Sequence, residues 1–359
     1  MTNHIQADSI LREMVTSRKT PGLQYLALKN GQQAHSLNAG MAEFENNRDI
    51  SSQSFFNACS VTKTFTSLGV MQLAEAGRLN IHDPVSGYLD DLPFNREIKI
   101  YQLLSHTSGL PNPIPLRWAH LQEEEADFDY PLFIKTVLAK HSKLKYAPGE
   151  KFSYSNLNYL PLGQLIEKVS GLPYRDYIRQ FIIEKLDLQG MPMGFLVPDD
   201  TYYARGYQKK YSLMNLVLGL FIDKLKFTSK SSDSSWIRFN KYYVSGRSYG
   251  GLIANAGSLT KFLSELFRPG SILLSDEWKK TLFQKQKVGD GKEVEMTLGW
   301  FTGKLEGNRY FAHAGAGGGY YCEMRMYPEL QLATAIMFNR SGMSDERILD
   351  KPDRFILPG

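Results

Sequence analysis

Cysteine is scarce in this chain of 359 residues: only Cys59 and Cys322 are present. Two thiols exclude a disulfide framework. Cys59 reads as buried behind its neighbour Ser60. Cys322 shares a strand face with Met324 and Met326, which reads as core. Long apolar runs are missing too. The most apolar stretch, Tyr211 to Phe221, is far shorter than the ~20 residues that cross a bilayer, so no transmembrane segment is expected. Neither sign of charge dominates, since 42 basic against 37 acidic residues leave +5. Apart from short pairs such as Lys209-Lys210 and Lys279-Lys280, the basic residues are dispersed, and no nucleic-acid module is recognisable. No His or Cys cluster has metal-ligand spacing, and no His-Glu-x-x-His occurs. Gly317-Gly318-Gly319 follows a strand-like run but opens no helix, so it is no phosphate loop. Neither a metal nor a cofactor is expected. A secretory signal is not visible either. Met1 to Lys19 is polar, with Ile10, Leu11, Met14 and Val15 at helical spacing, which predicts an amphipathic first helix. Taking Met1 as the native start, the expected address is cytoplasmic.

What is present is ordinary globular composition, 42% apolar with 30 Gly and 16 Pro, in a chain long enough for two lobes. Its most informative stretch is Ser60-Val61-Thr62-Lys63, which places a hydroxyl and an amine one helical turn apart on a shared face. The flanks are apolar or small, from Phe55 and Phe56 to Leu68, Val70, Met71 and Leu73. A helix apolar on nearly every side belongs in a core. A buried amine without a partner is costly. Desolvation lowers its pKa, which makes Lys63 a proton acceptor for Ser60. The tetrapeptide alone is common, and a surface Ser and Lys at a helix start is the bland alternative.

Two further segments weigh against that alternative. Tyr154-Ser155-Asn156 follows the turn signal Pro148-Gly149. It precedes Leu162, Leu165, Ile166 and Val169, which repeat at helical spacing before a stop at Gly171. Tyr154 and Asn156 thus sit on a loop entering a helix, where functional groups often lie. His313-Ala314-Gly315 ends a strand-like run, and the small residues after it let a backbone or ligand approach closely.

Leu23 to Leu28 and Gln33 to Ala39 flank Asn30-Gly31, a hairpin signal. A helix through Lys63 closes at Gly77. Residues from about Leu79 to Leu188 read mainly as helices and loops, including Tyr130 to Lys140 and Tyr174 to Leu186. Strands are predicted over Thr297–Thr302, Arg309–His313, Tyr320–Tyr327 and Leu330–Phe338, with short links that imply antiparallel pairing. The fold class is therefore α+β: an antiparallel sheet flanked by helices. Residues 1–78 and 246–359 are expected to form the sheet domain, and residues 79–245 an inserted, mainly helical one. Tyr211 to Phe221 and the polar run Ser229 to Ser235 read as a core helix plus a flexible loop. The competing reading makes 200–245 a lid or an acyl-chain groove.

In this order, Ser60-x-x-Lys63, Tyr154-x-Asn156 and His313-x-Gly315 resemble the motifs of the serine β-lactamase and penicillin-binding-protein superfamily. The likeness is greatest to the class C β-lactamase-like branch, which includes D,D-peptidases, D-aminopeptidases and esterases. It covers most of the chain. Leu103 to Pro111 resembles the family's loop into its helical domain, and Tyr146 to Gly171 its tyrosine segment. Gly250 to Leu252 with Gly257 to Phe262 resembles a late strand and helix, and Gly299 to Asn339 the terminal meander. The resemblance implies a β-lactamase/transpeptidase-like fold and an acyl-enzyme mechanism. Ser60 would be the nucleophile and Lys63 its proton partner. Tyr154 would serve as general base, its phenol brought down from ~10 by a cation such as Lys63. Asn156 would orient Lys63 and a substrate amide. His313 would sit opposite Ser60 and lend partial charge or a hydrogen bond. The backbone N–H groups of Ser60 and Ala316 would form the oxyanion hole. Because Cys322 lies well past His313, no pairing with Cys59 is expected. His106 reads as a loop brace.

Carboxylate-binding relatives carry Lys-Thr-Gly or Lys-Ser-Gly where this chain has His313-Ala314-Gly315. Ala314 lacks the hydroxyl, and His313 is at most partly charged at neutral pH. Losing a buried hydrogen bond and weakening a charge contact each cost on the order of 1–3 kcal/mol. The reading is therefore a serine hydrolase for small-molecule esters, amides or peptides that lack a free carboxylate there. A β-lactamase or D-alanyl-D-alanine carboxypeptidase is the first alternative. A non-catalytic ligand-binding protein on the same fold is the alternative of another class.

Overall fold

The structure, a computed structural model, describes residues 2–94, 97–212, 215, 223–341 and 347–358. The chain opens with helix α1 (Thr2–Thr16) and then the hairpin β1 (Gly22–Lys29) and β2 (Gln32–Glu43). Asn30 and Gly31 take φ of 52° and 75°, the two left-handed residues that a two-residue hairpin turn requires. A short strand β3 (Arg48–Asp49) follows, and helix α2 (Thr62–Glu75) carries Lys63. Helix α3 (Tyr159–Ser170) leads from the tyrosine segment and ends at Gly171, whose φ of 78° is the left-handed stop. Helix α4 (Ala256–Phe267) starts on an Asn255 side chain that accepts from Ser258 N. The chain then returns to the sheet as β4 (Phe301–Leu305), β5 (Asn308–Gly317), β6 (Tyr320–Tyr327) and β7 (Leu332–Phe338), and a last turn of helix α5 (Asp350–Asp353) lies behind it.

These strands form one antiparallel sheet in the order β4-β5-β6-β7-β1-β2-β3, so both ends of the chain meet at the β7–β1 pair. Each residue of β6 and β7 is buried, which marks central strands covered on both faces. One face carries Met324, Met326, Ala335 and Met337 against Phe65, Leu68, Phe262 and Leu263 of α2 and α4. The other carries Tyr25, Tyr327, Ile336 and Phe338 against Leu11 and Met14 of α1 and Leu349 beside α5. The larger cluster continues from α2 into α3. There Gly69 brings the helices together, since a Cβ on it would lie 3.1–3.3 Å from Ile166, Tyr177 and Ile178.

Two expectations shift. The strand predicted from Thr297 begins instead at Phe301. Gly299 turns the chain at φ 91°, and the Ser67 hydroxyl captures the Leu298 carbonyl at 2.5 Å, so Thr297 to Gly299 are held as a turn. The helix expected over Tyr174–Leu186 ends at Phe181, and Ile183–Lys185 form a separate turn of 3-10 helix. The apolar stretch Tyr211 to Phe221 lies largely outside the described residues. Its described flanks carry short strands at Tyr207–Lys209, Thr228–Lys230 and Trp236–Phe239, which form a small sheet of their own. No helix among the described residues is long and apolar enough to cross a membrane.

Candidate active site

Ser60 is presented by a sharp turn ahead of α2. Cys59 before it adopts φ 48°, a left-handed conformation that costs a non-glycine residue energy and needs support from its surroundings. Hydrogen bonds on all sides supply that support. Ala58 N donates to Leu252 O at 2.8 Å, Thr62 Oγ1 to Cys59 O at 2.6 Å, and Cys322 Sγ to Ala58 O at 2.9 Å. Burial pushes the Cys59 thiol up to about 12, which disfavours a thiolate beside Ser60.

Lys63 is fully buried, further than its sequence context alone required. Its Nζ donates to Ser60 Oγ at 3.0 Å and to the Tyr249 carbonyl at 2.8 Å. The rings of Tyr154, Tyr249 and Tyr159 stand 5.1, 5.2 and 5.6 Å from it. Burial draws its pKa well below the ordinary lysine value, which brings the neutral, proton-accepting amine closer to working pH.

Tyr154 lies beside Lys63 and is framed by His106. His106 has φ 58° and grips the chain on both sides of the tyrosine. Ser153 N donates to the His106 carbonyl at 2.9 Å, and Ser155 N donates to His106 Nδ1 at 3.2 Å. Asn158 Nδ2 reaches the same Nδ1 at 3.1 Å, and the imidazole lies 4.4 Å from the Tyr154 ring. Two N–H groups on Nδ1 place the ring proton on Nε2. Burial, Lys63 and His313 hold His106 well below its usual pKa, so it is neutral.

Asn156 is placed differently from expectation. Its backbone N and its Nδ2 both donate to Asn112 Oδ1, at 3.0 and 3.3 Å, while its buried Oδ1 has no partner among the described residues. Lys63 donates to Ser60 and the Tyr249 carbonyl, while Asn156 is oriented by Asn112 and lines the cavity. His313 also departs from expectation. It is fully buried, its Nδ1 donates to the Ala314 carbonyl at 2.8 Å, and burial together with Lys63 draws its pKa to about 3. The partial charge expected of it is absent at neutral pH. Ala314 packs against the opposite face of the sheet, among the α1-side cluster.

The strand β5 closes the site. A Cβ on Gly315 would lie 2.4 Å from Ala58 O and 2.8 Å from Ser60 N, so only glycine lets this strand reach the nucleophile turn. Ser60 and Ala316 therefore line the same cavity. Sequence reasoning missed Tyr249 and Asn112, and it gave His106 no link to Tyr154. The positive φ at His106 and the reach of Tyr249 O to Lys63 depend on tertiary structure and leave no mark in local sequence.

A family model described as Beta-lactamase matches residues 7–357. The chain belongs to the β-lactamase family. Among curated relatives in this family, it is 26% identical over 318 residues to Penicillin-binding protein 4* of Bacillus subtilis, covering 84% of this chain and 64% of that one. It is 25% identical over 311 residues to Protein flp of Staphylococcus aureus, covering 84% and 56%. The chain thus spans less than two thirds of the length of either relative. Among solved structures, it is similar to the octameric penicillin-binding protein homologue from Pyrococcus abyssi, with TM-score 0.73 and 24% identity over 97% of this chain and 75% of that one. The D-amino acid amidase from Ochrobactrum anthropi SV3 matches with TM-score 0.75 and 19% identity over 99% of both chains. At those identities the structures speak to the fold, which is shared over 97–99% of this chain.

Proposed function

We propose that this β-lactamase-family protein is a serine hydrolase that cleaves carboxylic esters or amides through an acyl-enzyme on Ser60. Ser60 Oγ attacks the carbonyl carbon while its proton passes to Lys63 Nζ. The oxyanion forms between the N–H groups of Ser60 and Ala316. Tyr154, next to Lys63, delivers a proton to the leaving group as the C–O or C–N bond breaks. Water then attacks the ester on Ser60 and gives its proton to Tyr154; the bond between the acyl carbon and Ser60 Oγ breaks, Lys63 returns its proton to Ser60 Oγ, and the acid leaves. The observation that carries this reading is the buried amine of Lys63 hydrogen-bonded to Ser60 Oγ at 3.0 Å. Relatives named as penicillin-binding proteins and an amidase support the same class of chemistry.

The third motif argues for substrates without a carboxylate at that position. His313 is neutral and tied to Ala314, and no hydroxyl side chain stands at 314. Relative kcat/KM on p-nitrophenyl butyrate, a D-amino acid amide and a chromogenic cephalosporin tests the proposal. The ester or the amide should exceed the cephalosporin by ~10-fold or more, the worth of one or two missing contacts to its carboxylate. A preference for the cephalosporin would place carboxylate recognition elsewhere and overturn the substrate assignment.

A further inference from the structure

A cavity of about 210 Å³ opens beside Ser60. Its wall is a two-stranded pair, Ala119–Leu121 against Tyr242–Val244, with Trp118 before it and Phe239 and Tyr249 beside it. These side chains are fixed. Trp118 meets Tyr249 edge to face at 5.7 Å, and the Tyr242 hydroxyl is occupied by the Gly318 carbonyl at 2.7 Å. Among the described residues, no charged side chain lines the cavity. Its polar lining includes Ser60 and Asn156, the latter held in place by Asn112. Tyr154 and Lys63 lie outside the lining.

We infer that this cavity holds the acyl part of the substrate and selects an uncharged acyl group bearing a single aromatic ring. The inference rests on the hydrolase reading above and adds to it the chemistry of the acyl group. An apolar cavity of about 150 Å³ accommodates a benzene ring, so this one takes a ring with a short linker. An anionic acyl group meets aromatic faces with no cation to balance it, at a desolvation cost. An acetyl group leaves the aromatic wall unfilled.

The test compares p-nitrophenyl esters of acetic, 3-phenylpropionic and succinic acids on the full chain, with fluorophosphonate labelling of Ser60 run in parallel. The kcat/KM order expected is phenylpropionyl over acetyl by ~10-fold or more, with succinyl below acetyl. Val244→Trp, which fills the wall, should cut the phenylpropionyl-to-acetyl ratio by about the same factor. Phe239→Ala, which widens the cavity, should move the preference toward a naphthylacetyl ester and serves if the first variant does not fold. A wild type labelled at Ser60 with equal rates on all three esters overturns the pocket assignment and leaves the hydrolase reading standing. Folded variants with unchanged ratios overturn it too. Absence of any label at Ser60 removes both.

Discussion

At the scale of single residues, the site depends on side chains placed by groups distant in sequence. Lys63 has a lowered pKa because α2 is buried, and the Tyr249 carbonyl and Ser60 Oγ fix where its amine points. Tyr154 is placed by His106, which holds Ser153 N and Ser155 N while its ring lies tilted against the phenol. His106→Ala strips the acceptor from Ser155 N and Asn158 Nδ2, each worth about 1–3 kcal/mol when left unsatisfied in the interior. Urea unfolding should show that loss, and kcat should fall while KM changes little. His106→Asn keeps an acceptor near the Nδ1 position and tolerates the left-handed backbone, so it should recover most of the stability. Equal losses in both variants would mean that the imidazole ring, not its acceptor, does the positioning. The Ser60–Lys63 pairing and the place of Tyr154 on a loop entering α3 were legible in the sequence, because each follows from local spacing. The neutrality of His313 and the turning of Asn156 toward Asn112 were not, because burial and a partner 44 residues away decide them.

At the scale of elements, the meeting of β5 with the turn ahead of α2 creates the site. Gly315→Ala pushes a methyl group into the Ala58 carbonyl and the Ser60 amide, and neither backbone group can yield cheaply. A displacement of order 1 Å between nucleophile and oxyanion donors can cost about 100-fold in rate. The variant should therefore lose kcat by ~100-fold while circular dichroism stays near wild type, since most of β5 pairs away from this contact. Retention of wild-type kcat would show that β5 does not set the oxyanion geometry. The hairpin at Asn30-Gly31 and the stop at Gly171 were readable because glycine chemistry is local. The start of β4 was not, because the Ser67 hydroxyl that holds Leu298 comes from the other side of the core.

At the scale of the whole molecule, the two chain ends are joined by one sheet and clipped by the last helical turn. Asp353 in α5 is fully buried and accepts from the hydroxyls of Tyr25, Tyr327 and Thr334 at 3.1, 2.8 and 2.9 Å, thereby tying β1, β6 and β7 together. Burial raises its pKa to about 6, against the pull of Arg325 and the hydroxyl donors. The folded chain then binds more protons than the unfolded chain between the ordinary aspartate value and about 6, so this contribution is full at low pH and falls as pH rises through that window. Thermal unfolding of wild type and Asp353→Asn at pH 4, 5, 6 and 7 checks the sign. The stability of wild type relative to the variant should decline from pH 4 to pH 7, and a rise would mean that Asp353 is held as a carboxylate by its donors. The same rigid frame brings Ser60, Lys63, Tyr154 and β5 to one place, and the account as a whole rests on Ser60 becoming acylated. Intact-protein mass spectrometry after a fluorophosphonate or a slowly released ester tests that most directly. One adduct per chain, mapped to the peptide containing Ser60 and lost in a folded Ser60→Ala variant, is the predicted result. An adduct that persists in Ser60→Ala, or none in wild type, would contradict the account.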